Sequence, residues 1–363
     1  MKKHRLIAMS GGVDSSVAAL LSHKAGFPCI GVTLKLFSAP TAADPKARPR
    51  KRSCCSLADV EDAKQVAYQL DMPYYVLNFS DAFTDGVIRK FVETYEKGET
   101  PNPCIDCNRY IKFEGLLQRA KQLAIAYLVT GHYARIEKQG SRFLLKKARD
   151  LKKDQSYVLY TMTQDQLAHT LFPLGDLTKE EVRAIALEAG LMNARKQDSQ
   201  DICFIPDGDY AHFIEAYRGK PAAPGNILDE TGALLGQHQG LIRYTIGQRR
   251  GMGLAFPEAR YVLAKSPADN TLTLGKESAL YTQTLYAATL NFIAWEDPEK
   301  PRRVTVKTRY LQAEQPATAL LLEADRLRVD FDTPQRAITP GQAVVLYDGE
   351  LVLGGGTITG IRA

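Results

Sequence analysis

The chain has 363 residues, of which 45% are hydrophobic and 24% are charged, and its formal net charge is +6. This is the composition of a folded globular protein long enough for two or three domains. It contains no apolar run that could span a bilayer, and the apolar stretch after the basic N-terminus, only five residues long before the Gly-Gly, is too short for a signal peptide. A cytoplasmic protein with no membrane partner is therefore expected. In that setting the six cysteines indicate catalysis or metal binding rather than structural disulfides.

Strand and helix patterns alternate over the first two hundred residues. After an apolar run at Arg5–Met9, further strands are predicted at 30–34, 74–77 and 127–130. Leu57, Val60, Ala63, Ala67 and Leu70 form one helix face, and Thr178–Glu181 is a capping box that opens another helix. This alternation predicts an α/β fold with a doubly wound parallel sheet, which binds ligands at the carboxyl ends of its strands.

A glycine- and serine-rich loop, Ser10-Gly11-Gly12-Val13-Asp14-Ser15-Ser16, joins the first strand to the first helix. Glycines allow positive φ and a close backbone approach, and the amides at the start of a helix attract an anion. The loop lacks the Gly-Lys-Ser/Thr of a Walker motif and the Gly-x-Gly-x-x-Gly of a dinucleotide fold. It therefore predicts a different phosphate-binding loop, in which Asp14 orients the loop or meets a cation. The alternative is an ordinary turn with a serine N-cap.

Short β-strands dominate after about Ile205. A hairpin is predicted around Asp269-Asn270 and another around Asp348-Gly349, with alternating runs between them. We therefore predict an α/β domain at residues 1–205, a small β-rich central domain at 206–280 and a C-terminal β-barrel at 281–363.

A basic segment at Lys46–Arg52 carries five positive charges and lies within Ser38–Ser53, which is predicted to be disordered or to become ordered on binding. Two interpretations stay open for it, a solvated loop and a contact with RNA phosphates. The mild net positive charge permits a nucleic-acid partner without requiring one.

Two cysteine-containing segments are the main candidates for chemistry. Pro-framed Thr100–Asn108 contains Cys104 and Cys107 in a Cys-x-x-Cys spacing, and Cys203 follows the α/β pattern at Gln200–Phe204. Cys-x-x-Cys by itself fits zinc, redox and iron–sulfur sites, although no second pair completes a zinc ribbon. A lone cysteine such as Cys203 is more often a small buried apolar residue.

Together these motifs resemble a known family over nearly the whole chain. The loop is followed in order by the segments Thr-Pro-Asn-Pro-x-x-x-Cys-Asn, Thr130-Gly131-His132-Tyr133, Lys153-Asp154-Gln155-Ser156-Tyr157, Gln200-Asp201-Ile202-Cys203-Phe204, Lys307-Thr308-Arg309-Tyr310 and Pro340-Gly341-Gln342. The chain resembles the bacterial tRNA-specific 2-thiouridylases (MnmA family) of the PP-loop ATP pyrophosphatase superfamily. The resemblance implies ATP, used with Mg²⁺, and a tRNA substrate.

The resemblance also implies roles for particular residues. Cys107 would be the nucleophile and Cys203 the persulfide carrier. ATP would contact Ala8, Met9, Ser10, Gly11, Gly12, Val13, Asp14, Ser15, Leu34 and Gly131. The target base would lie against Asn102, Pro103 and Cys104, where many family members have Asp in place of Cys104. The tRNA would contact His132, Lys153, Asp154, Gln155, Arg309, Tyr310 and Gln342.

The implied reaction is ATP-dependent 2-thiolation of the wobble uridine (position 34), by adenylation of its C2 oxygen and transfer of persulfide sulfur. Partners would be the tRNAs for Lys, Glu and Gln and a cysteine desulfurase or sulfur-relay protein. One mechanistic alternative is a [4Fe-4S] cluster held by Cys104, Cys107 and Cys203. Two functional alternatives are an ATP pyrophosphatase that forms a C–N bond and an RNA-binding protein without catalytic activity.

Overall fold

The computed structural model describes residues 3–37, 57–198, 202–205, 207–298, 300–323 and 325–361. The basic segment Ser38–Ser53 and the pair Cys54-Cys55 lie outside the described residues. Backbone contacts divide the chain into two compact units. One comprises Met1–Ile88, Pro103–Gly208 and Glu350–Val352, and the other comprises Arg89–Asn102, Asp209–Gly349 and Leu353–Ala363. The three domain boundaries stay a prediction.

The first unit is built on a parallel sheet. Its strands are β1 (Arg5–Ala8), β2 (Cys29–Lys35), β3 (Tyr74–Asn78), β4 (Tyr127–Val129), β5 (Arg135–Gln139), β6 (Arg142–Lys146) and β7 (Thr170–Leu171). The sheet has the order β3-β2-β1-β4-β7 with every neighbouring pair parallel. β5 and β6 form an antiparallel hairpin outside this sheet.

Helices cover both faces of the sheet. The α-helices of the described residues are α1 (Val13–Lys24), α2 (Leu57–Gln69), α3 (Ser80–Phe83), α4 (Arg89–Glu96), α5 (Pro103–Asp106), α6 (Leu117–Gln122), α7 (Gln164–Ala168), α8 (Lys179–Glu188) and α9 (Tyr210–Arg218), of which α4 and α9 belong to the second unit. Ile7 packs with α1, α2 and α8 in one core, so the fully buried Leu6 faces the opposite side. The predicted capping box is confirmed, since the Thr178 side chain accepts from the Glu181 amide and the Glu181 carboxylate accepts from the Thr178 amide.

Two π-helical segments, Thr84–Ile88 and Cys107–Leu116, continue α3 and α5. Short 3₁₀ turns lie at Ser156–Leu159, Leu241–Arg243 and Glu277–Leu280. π-Helical turns are rare and are frequent at functional sites. One of these segments begins at a candidate catalytic residue, Cys107.

The second unit contains two β-structures. A four-stranded sheet has the order β10-β11-β8-β9, from β8 (Gly225–Leu228), β9 (Leu234–His238), β10 (Tyr261–Ser266) and β11 (Thr271–Gly275). The predicted hairpin at Asp269-Asn270 is confirmed as the turn between β10 and β11. The remaining strands are β12 (Tyr281–Phe292), β13 (Arg302–Lys307), β14 (Gln315–Leu322), β15 (Arg326–Arg336), β16 (Ala343–Asp348) and β17 (Leu351–Gly360). They pair in the order β12-β15-β14-β13-β16-β17, and pairing of β12 with β17 closes a barrel. The predicted fold class is confirmed.

None of the helices in the described part of the chain combines the length and apolar character that a membrane span requires.

Candidate active site

The loop after β1 has one glycine in the left-handed region and one in extended geometry. Gly11 has φ +73°, and a Cβ there would lie 2.1 Å from the Asp59 carbonyl oxygen. Gly12 has φ −86° and ψ 161° and is the N-cap of α1. Gly11 therefore uses the positive φ that a glycine allows, and Gly12 does not. At Gly12 an added Cβ would meet only the Ser10 hydroxyl, at 3.5 Å, so the fold itself leaves room there.

The serine hydroxyls of the loop hold its turn. Ser15 Oγ donates to the Gly12 carbonyl at 3.0 Å and accepts from the Ser10 amide at 3.1 Å. Ser16 Oγ donates to the same Gly12 carbonyl at 3.0 Å. These hydroxyls are therefore used within the loop. The donors left to bind an anion are chiefly the amides at the start of α1, because they have no intrahelical acceptor.

The Gly11 carbonyl is fixed from behind by two side chains. Asn193 Nδ2 donates to it at 3.0 Å and Lys196 Nζ at 2.9 Å. Lys196 is itself held by Asp59 at 2.5 Å and Asp62 at 2.6 Å. In a trans peptide the carbonyl and the following N–H point in opposite directions, so these contacts aim the Gly12 amide away from Asn193 and Lys196. That amide is thereby free to face a phosphate.

Asp14 faces a buried cation, one of the two roles expected for it. Its Oδ1 accepts from Lys179 Nζ at 2.7 Å and from the Tyr133 hydroxyl at 2.7 Å. The Lys179 side chain is only 7% exposed and also pairs with Asp198 at 2.8 Å. Burial and the neighbouring Asp14 carboxylate raise the pKa of Tyr133, so its hydroxyl keeps the proton that it donates. Asp14 therefore orients the first turn of α1.

The ends of neighbouring strands complete this edge of the sheet. β1, β2 and β4 are adjacent and parallel, so Ala8, Leu34 and Gly131 lie at or just beyond their carboxyl ends. A Cβ at Gly131 would lie 2.7 Å from the backbone of Asp14 and Ser15, so this glycine lets β4 approach the loop. The Thr33 hydroxyl donates to the Met9 carbonyl at 2.6 Å and fixes the last residue before Ser10.

Cys107 is the first residue of its π-helical segment and is half-buried, while Cys104 on the preceding helix α5 is exposed. The next residue, Asn108, is 2% exposed and donates from Nδ2 to the Val158 carbonyl at 3.1 Å. Lys112 Nζ donates to the Asn108 side-chain oxygen at 2.9 Å. The position of Cys107 is therefore fixed through its neighbour.

The Cys203 segment borders the same helical turn as the Cys107 helix. Phe204, next to the half-buried Cys203, packs edge-on against Phe83 with ring centroids 5.6 Å apart. In the Cys107 helix, a Cβ at Gly115 would lie 2.7 Å from the Phe79 ring, just before α3. Both thiol-bearing segments thus contact the turn that contains Phe79 and Phe83.

No group of three or more His, Cys, Asp or Glu side chains within the described ranges is arranged to hold a metal ion. Cys104, Cys107 and Cys203 all lie in those ranges. Their arrangement here does not fit the three-cysteine ligand set of a [4Fe-4S] cluster.

Three family models match consecutive parts of the chain. They are described as tRNA methyl transferase HUP domain (residues 3–207), tRNA methyl transferase PRC-barrel domain (211–276) and Aminomethyltransferase beta-barrel domain (282–358). The chain is 52% identical to the tRNA-specific 2-thiouridylase MnmA of Moorella thermoacetica, over 98% of this chain and 99% of that protein. It is 48% identical to the one of Acetivibrio thermocellus, with the same two coverages. The chain belongs to the MnmA family of tRNA-specific 2-thiouridylases.

Solved structures share less with the chain. A 4-thiouridine synthetase–RNA complex with bound ATP is 17% identical, with a TM-score of 0.36 over 56% of this chain and 45% of that one. This overlap is too small to support a functional conclusion.

The four residues of this MnmA-family chain that were predicted to meet tRNA in the first unit make internal contacts. His132 is buried between Phe113 and Phe172 and bonds to Thr130 at 2.7 Å. Burial, with a smaller contribution from Lys112, lowers its pKa well below the ordinary value, so the ring is neutral. Lys153 donates to the Asp198 carboxylate, and Asp154 accepts from the Ala148 amide and the Ser156 hydroxyl. The Gln155 side-chain oxygen accepts from the Tyr133 amide. Their contact with tRNA stays a prediction.

The other predicted tRNA and base contacts are divided between the units. Pro103 and Cys104 lie in the first unit, whereas Asn102, Arg309, Tyr310 and Gln342 lie in the second. Lys307 Nζ lies 5.9 Å from the centre of the Tyr310 ring.

Sequence reasoning missed the residues that brace the loop: Lys179, Asn193, Lys196 and Tyr133. Only Tyr133 had a local signal, since it follows Gly131-His132 directly. The other three lie more than 160 residues beyond the loop in the chain, so no periodicity relates them to it.

The two glycines give a matched test of the loop. We expect Gly12→Ala to leave the melting temperature close to that of the wild type, because its Cβ meets only Ser10 Oγ. ATP consumption with tRNA should nevertheless fall about 10²-fold, because the Cβ displaces the phosphates from the amides. Gly11→Ala should instead lower stability, by about 1–2 kcal/mol or more, since its φ is left-handed and its Cβ overlaps Asp59. Full ATP consumption by Gly12→Ala would contradict phosphate binding at this loop.

Proposed function

We propose that this protein catalyses ATP-dependent 2-thiolation of the wobble uridine (position 34) of tRNA. The observation that carries the proposal is that the first unit contains both the Ser10–Ser16 loop and the two cysteine segments. The braced Ser10–Ser16 loop lies at the carboxyl edge of the sheet, and the Cys107 and Cys203 segments both border the turn around Phe83. Family membership supplies tRNA as the substrate class.

The first step activates a poor electrophile. The uridine C2 oxygen attacks the α-phosphorus of ATP, an O–P bond forms, and the bond to pyrophosphate breaks. The amides of Gly12 and the first turn of α1 stabilise the charge that develops on the departing pyrophosphate. ATP would be held by Ala8, Met9, Ser10, Gly11, Gly12, Val13, Asp14, Ser15, Leu34 and Gly131, with Mg²⁺ as its counterion.

The second step replaces oxygen by sulfur. Cys203 carries a persulfide, whose terminal sulfur attacks C2 so that AMP leaves with the original oxygen. Cys107 thiolate then attacks Cys203 Sγ, the persulfide S–S bond breaks, and its electrons leave the sulfur on the base as thiouridine. The resulting Cys107–Cys203 disulfide is reduced by a thiol before the next turnover. In a second version, Cys107 first displaces hydrosulfide from Cys203, and the hydrosulfide attacks C2.

The base must leave the anticodon stack to reach these thiols. We propose Asn102, Pro103 and Cys104 as its contacts, and His132, Lys153, Asp154, Gln155, Arg309, Tyr310 and Gln342 as further tRNA contacts. The tRNAs for Lys, Glu and Gln are the proposed substrates. A cysteine desulfurase or a sulfur-relay protein in the cytoplasm is the proposed sulfur donor.

Other chemistries are less consistent with the site. Formation of a C–N bond by a PP-loop enzyme needs no pair of cysteines, and a non-catalytic RNA-binding protein needs no phosphate loop. The family-model descriptions mention methyl transfer, but the relatives that align over nearly the whole chain are 2-thiouridylases. Cys104, Cys107 and Cys203 are not grouped as metal ligands among the described residues, and the proposed sulfur transfer uses no iron.

The decisive experiment is nucleoside mass spectrometry of tRNA from cells that lack this protein. We expect 2-thiouridine derivatives at position 34 to disappear and to return with the wild-type gene. A strain complemented with Gly12→Ala should stay deficient at equal protein level. Retention of 2-thiouridine in the deletion strain would refute the proposal.

A further inference from the structure

The loop between β13 and β14 of the barrel presents an exposed leucine on a closed turn. The Gln312 amide donates to the Arg309 carbonyl at 3.2 Å, so residues 309–312 form a β-turn. Tyr310 and Leu311 occupy its two central positions. Leu311 is 91% exposed. An apolar side chain at the tip of this turn therefore faces solvent.

The Gln312 side chain closes the base of the turn. Its Oε1 accepts from the Thr308 amide at 2.9 Å and from the Thr308 hydroxyl at 2.7 Å. Thr308 is only 4% exposed, so losing this oxygen would leave two buried donors unsatisfied. Gln312 Nε2 in turn donates at 3.2 Å to Oε1 of Gln335, which is 7% exposed on β15. Buried polar groups thus tie the last residue of the turn to a barrel strand.

The first residue of the turn is held by the same unit. Arg309 Nη2 donates to the Ala337 carbonyl at 2.6 Å and to Thr339 Oγ1 at 3.1 Å, and both partners are buried residues. The turn is therefore fixed at each end, while Tyr310 and Leu311 lie between the fixed points. Because folding already orders these two residues, a ligand that contacts them does not have to order them.

The charges beside the leucine favour RNA as the ligand. Within residues 307–312 the charged side chains are Lys307 and Arg309, both positive. Lys307 Nζ lies 5.9 Å from the centre of the Tyr310 ring, so a cation and an aromatic ring adjoin Leu311. Proteins that bind single-stranded RNA combine positive charge for the phosphates with aromatic and apolar side chains for the base faces. In a paired stem stacking already covers those faces, so an unstacked base of an RNA loop fits this turn.

We propose that Leu311 packs against an unstacked base of the tRNA, and that Gln312 is a positioning residue that holds the turn in the shape that presents Leu311. The family resemblance implies tRNA contacts for Arg309 and Tyr310 but none for Leu311 or Gln312. The inference rests on the proposed function for tRNA as the ligand. It adds a contact that carries no charge, and this separates the contact experimentally from phosphate binding.

Leu311→Ala in the full-length protein tests the contact. The dissociation constant for a tRNA transcript should rise about tenfold, because the leucine side chain no longer covers a base face. The slope of log affinity against log salt should stay that of the wild type, since no phosphate contact is lost. The melting temperature should not change, because Leu311 is exposed. The matched control is Leu234→Ala, at a 64% exposed position of β9 in the same unit, which should leave tRNA binding unchanged.

A second RNA identifies what Leu311 contacts. A long RNA duplex offers phosphates but no unstacked bases along its length, so the wild type and Leu311→Ala should bind it equally. An equal loss of affinity for both RNAs would overturn the contact with an unstacked base. An unchanged dissociation constant for tRNA would overturn the whole inference. If thiolation at saturating tRNA then became slower, Leu311 would instead face the protein that donates sulfur.

Gln312→Met tests the positioning role, because it keeps the side-chain length but removes the acceptor for Thr308 and the donor to Gln335. The dissociation constant for tRNA should rise several-fold, since the turn must now be ordered on binding. In a Leu311→Ala background the same change should have a smaller effect, because Gln312 acts through Leu311. Equal effects in the two backgrounds would overturn the positioning role. The binding measurements use neither ATP nor a sulfur donor, so their failure is distinct from retention of 2-thiouridine in the deletion strain.

Discussion

Replacement of either Cys107 or Cys203 by serine is expected to lower the single-turnover rate of 2-thiouridine formation by about 10³-fold or more. A serine hydroxyl cannot carry a persulfide, and it is not ionised near neutral pH, so neither half of the sulfur transfer survives. Both thiols are half-buried, and the segments that carry them contact the turn containing Phe79 and Phe83 through Gly115 and Phe204. The measurement is mass spectrometry of nucleosides from purified tRNA incubated with ATP and a persulfide donor.

The control for this pair is the same change at a third cysteine. Cys29 is 7% exposed, its thiol donates to the Phe27 carbonyl at 3.2 Å, and burial raises its pKa. A serine hydroxyl can keep that bond, so Cys29→Ser should retain activity. The affinity of both inactive variants for tRNA should match the wild type. Substantial thiolation by Cys107→Ser or Cys203→Ser would remove that residue from the mechanism.

Lys179→Met should remove ATP-dependent activity and also destabilise the first unit. The change leaves the carboxylates of Asp14 and Asp198 without the cation that lies between them. Removing one partner of a buried ion pair lowers the free energy of unfolding by about 3–5 kcal/mol. Because both carboxylates keep some solvent exposure, we expect Lys179→Met to lower it by about 2–3 kcal/mol. Loss of the contact also frees the first turn of α1, so ATP consumption with tRNA should fall by about 10²-fold. Denaturant unfolding and the ATPase assay measure the two effects.

A double variant separates stability from catalysis. Adding Asp14→Asn to Lys179→Met removes the unpaired charge at the loop, so part of the lost stability should return while ATP consumption stays low. Lys64→Met is the matched control, because Lys64 is 61% exposed and its pair with Glu61 is 3.8 Å long. Such a pair contributes at most about 1 kcal/mol. If Lys179→Met consumed ATP at the wild-type rate, the bracing of Asp14 would have no part in catalysis.

The acid stability of the network follows from Asp198. Burial would raise its pKa, but hydrogen bonds from Lys153 and Lys179 outweigh burial and lower the pKa below 3.8. A depressed folded-state pKa gives stability that is present above the unfolded-state value and is lost as pH falls through the folded-state value. The wild type should therefore lose more stability below about pH 4 than Asp198→Asn does. Equal acid-induced losses in denaturant titrations would contradict this ordering.

The elements predicted correctly are those whose signal is local. The strand–loop–helix around Ser10–Ser16, the capping box at Thr178 and the β10–β11 hairpin each depend on residues a few positions apart. The β5–β6 hairpin was missed because β5, with Arg135, Glu137, Lys138 and Gln139, is too polar to show an apolar alternation. Which of the two loop glycines takes positive φ could not be predicted, because a glycine permits positive φ but does not require it.

The sequence by itself determined the family and the sheet of the first unit, and it located the Ser10–Ser16 loop and the two cysteines for which we propose roles, because each depends on short motifs or on periodic burial. Only the tertiary structure decided which side chains hold those groups in place. Lys179 reaches Asp14 across 165 residues, and Gln342 reaches Thr100 across 242. A buried charge or a backbone carbonyl needs a partner, but many lysines and glutamines could supply it. The choice is made by which strand ends and turns the packed core brings together.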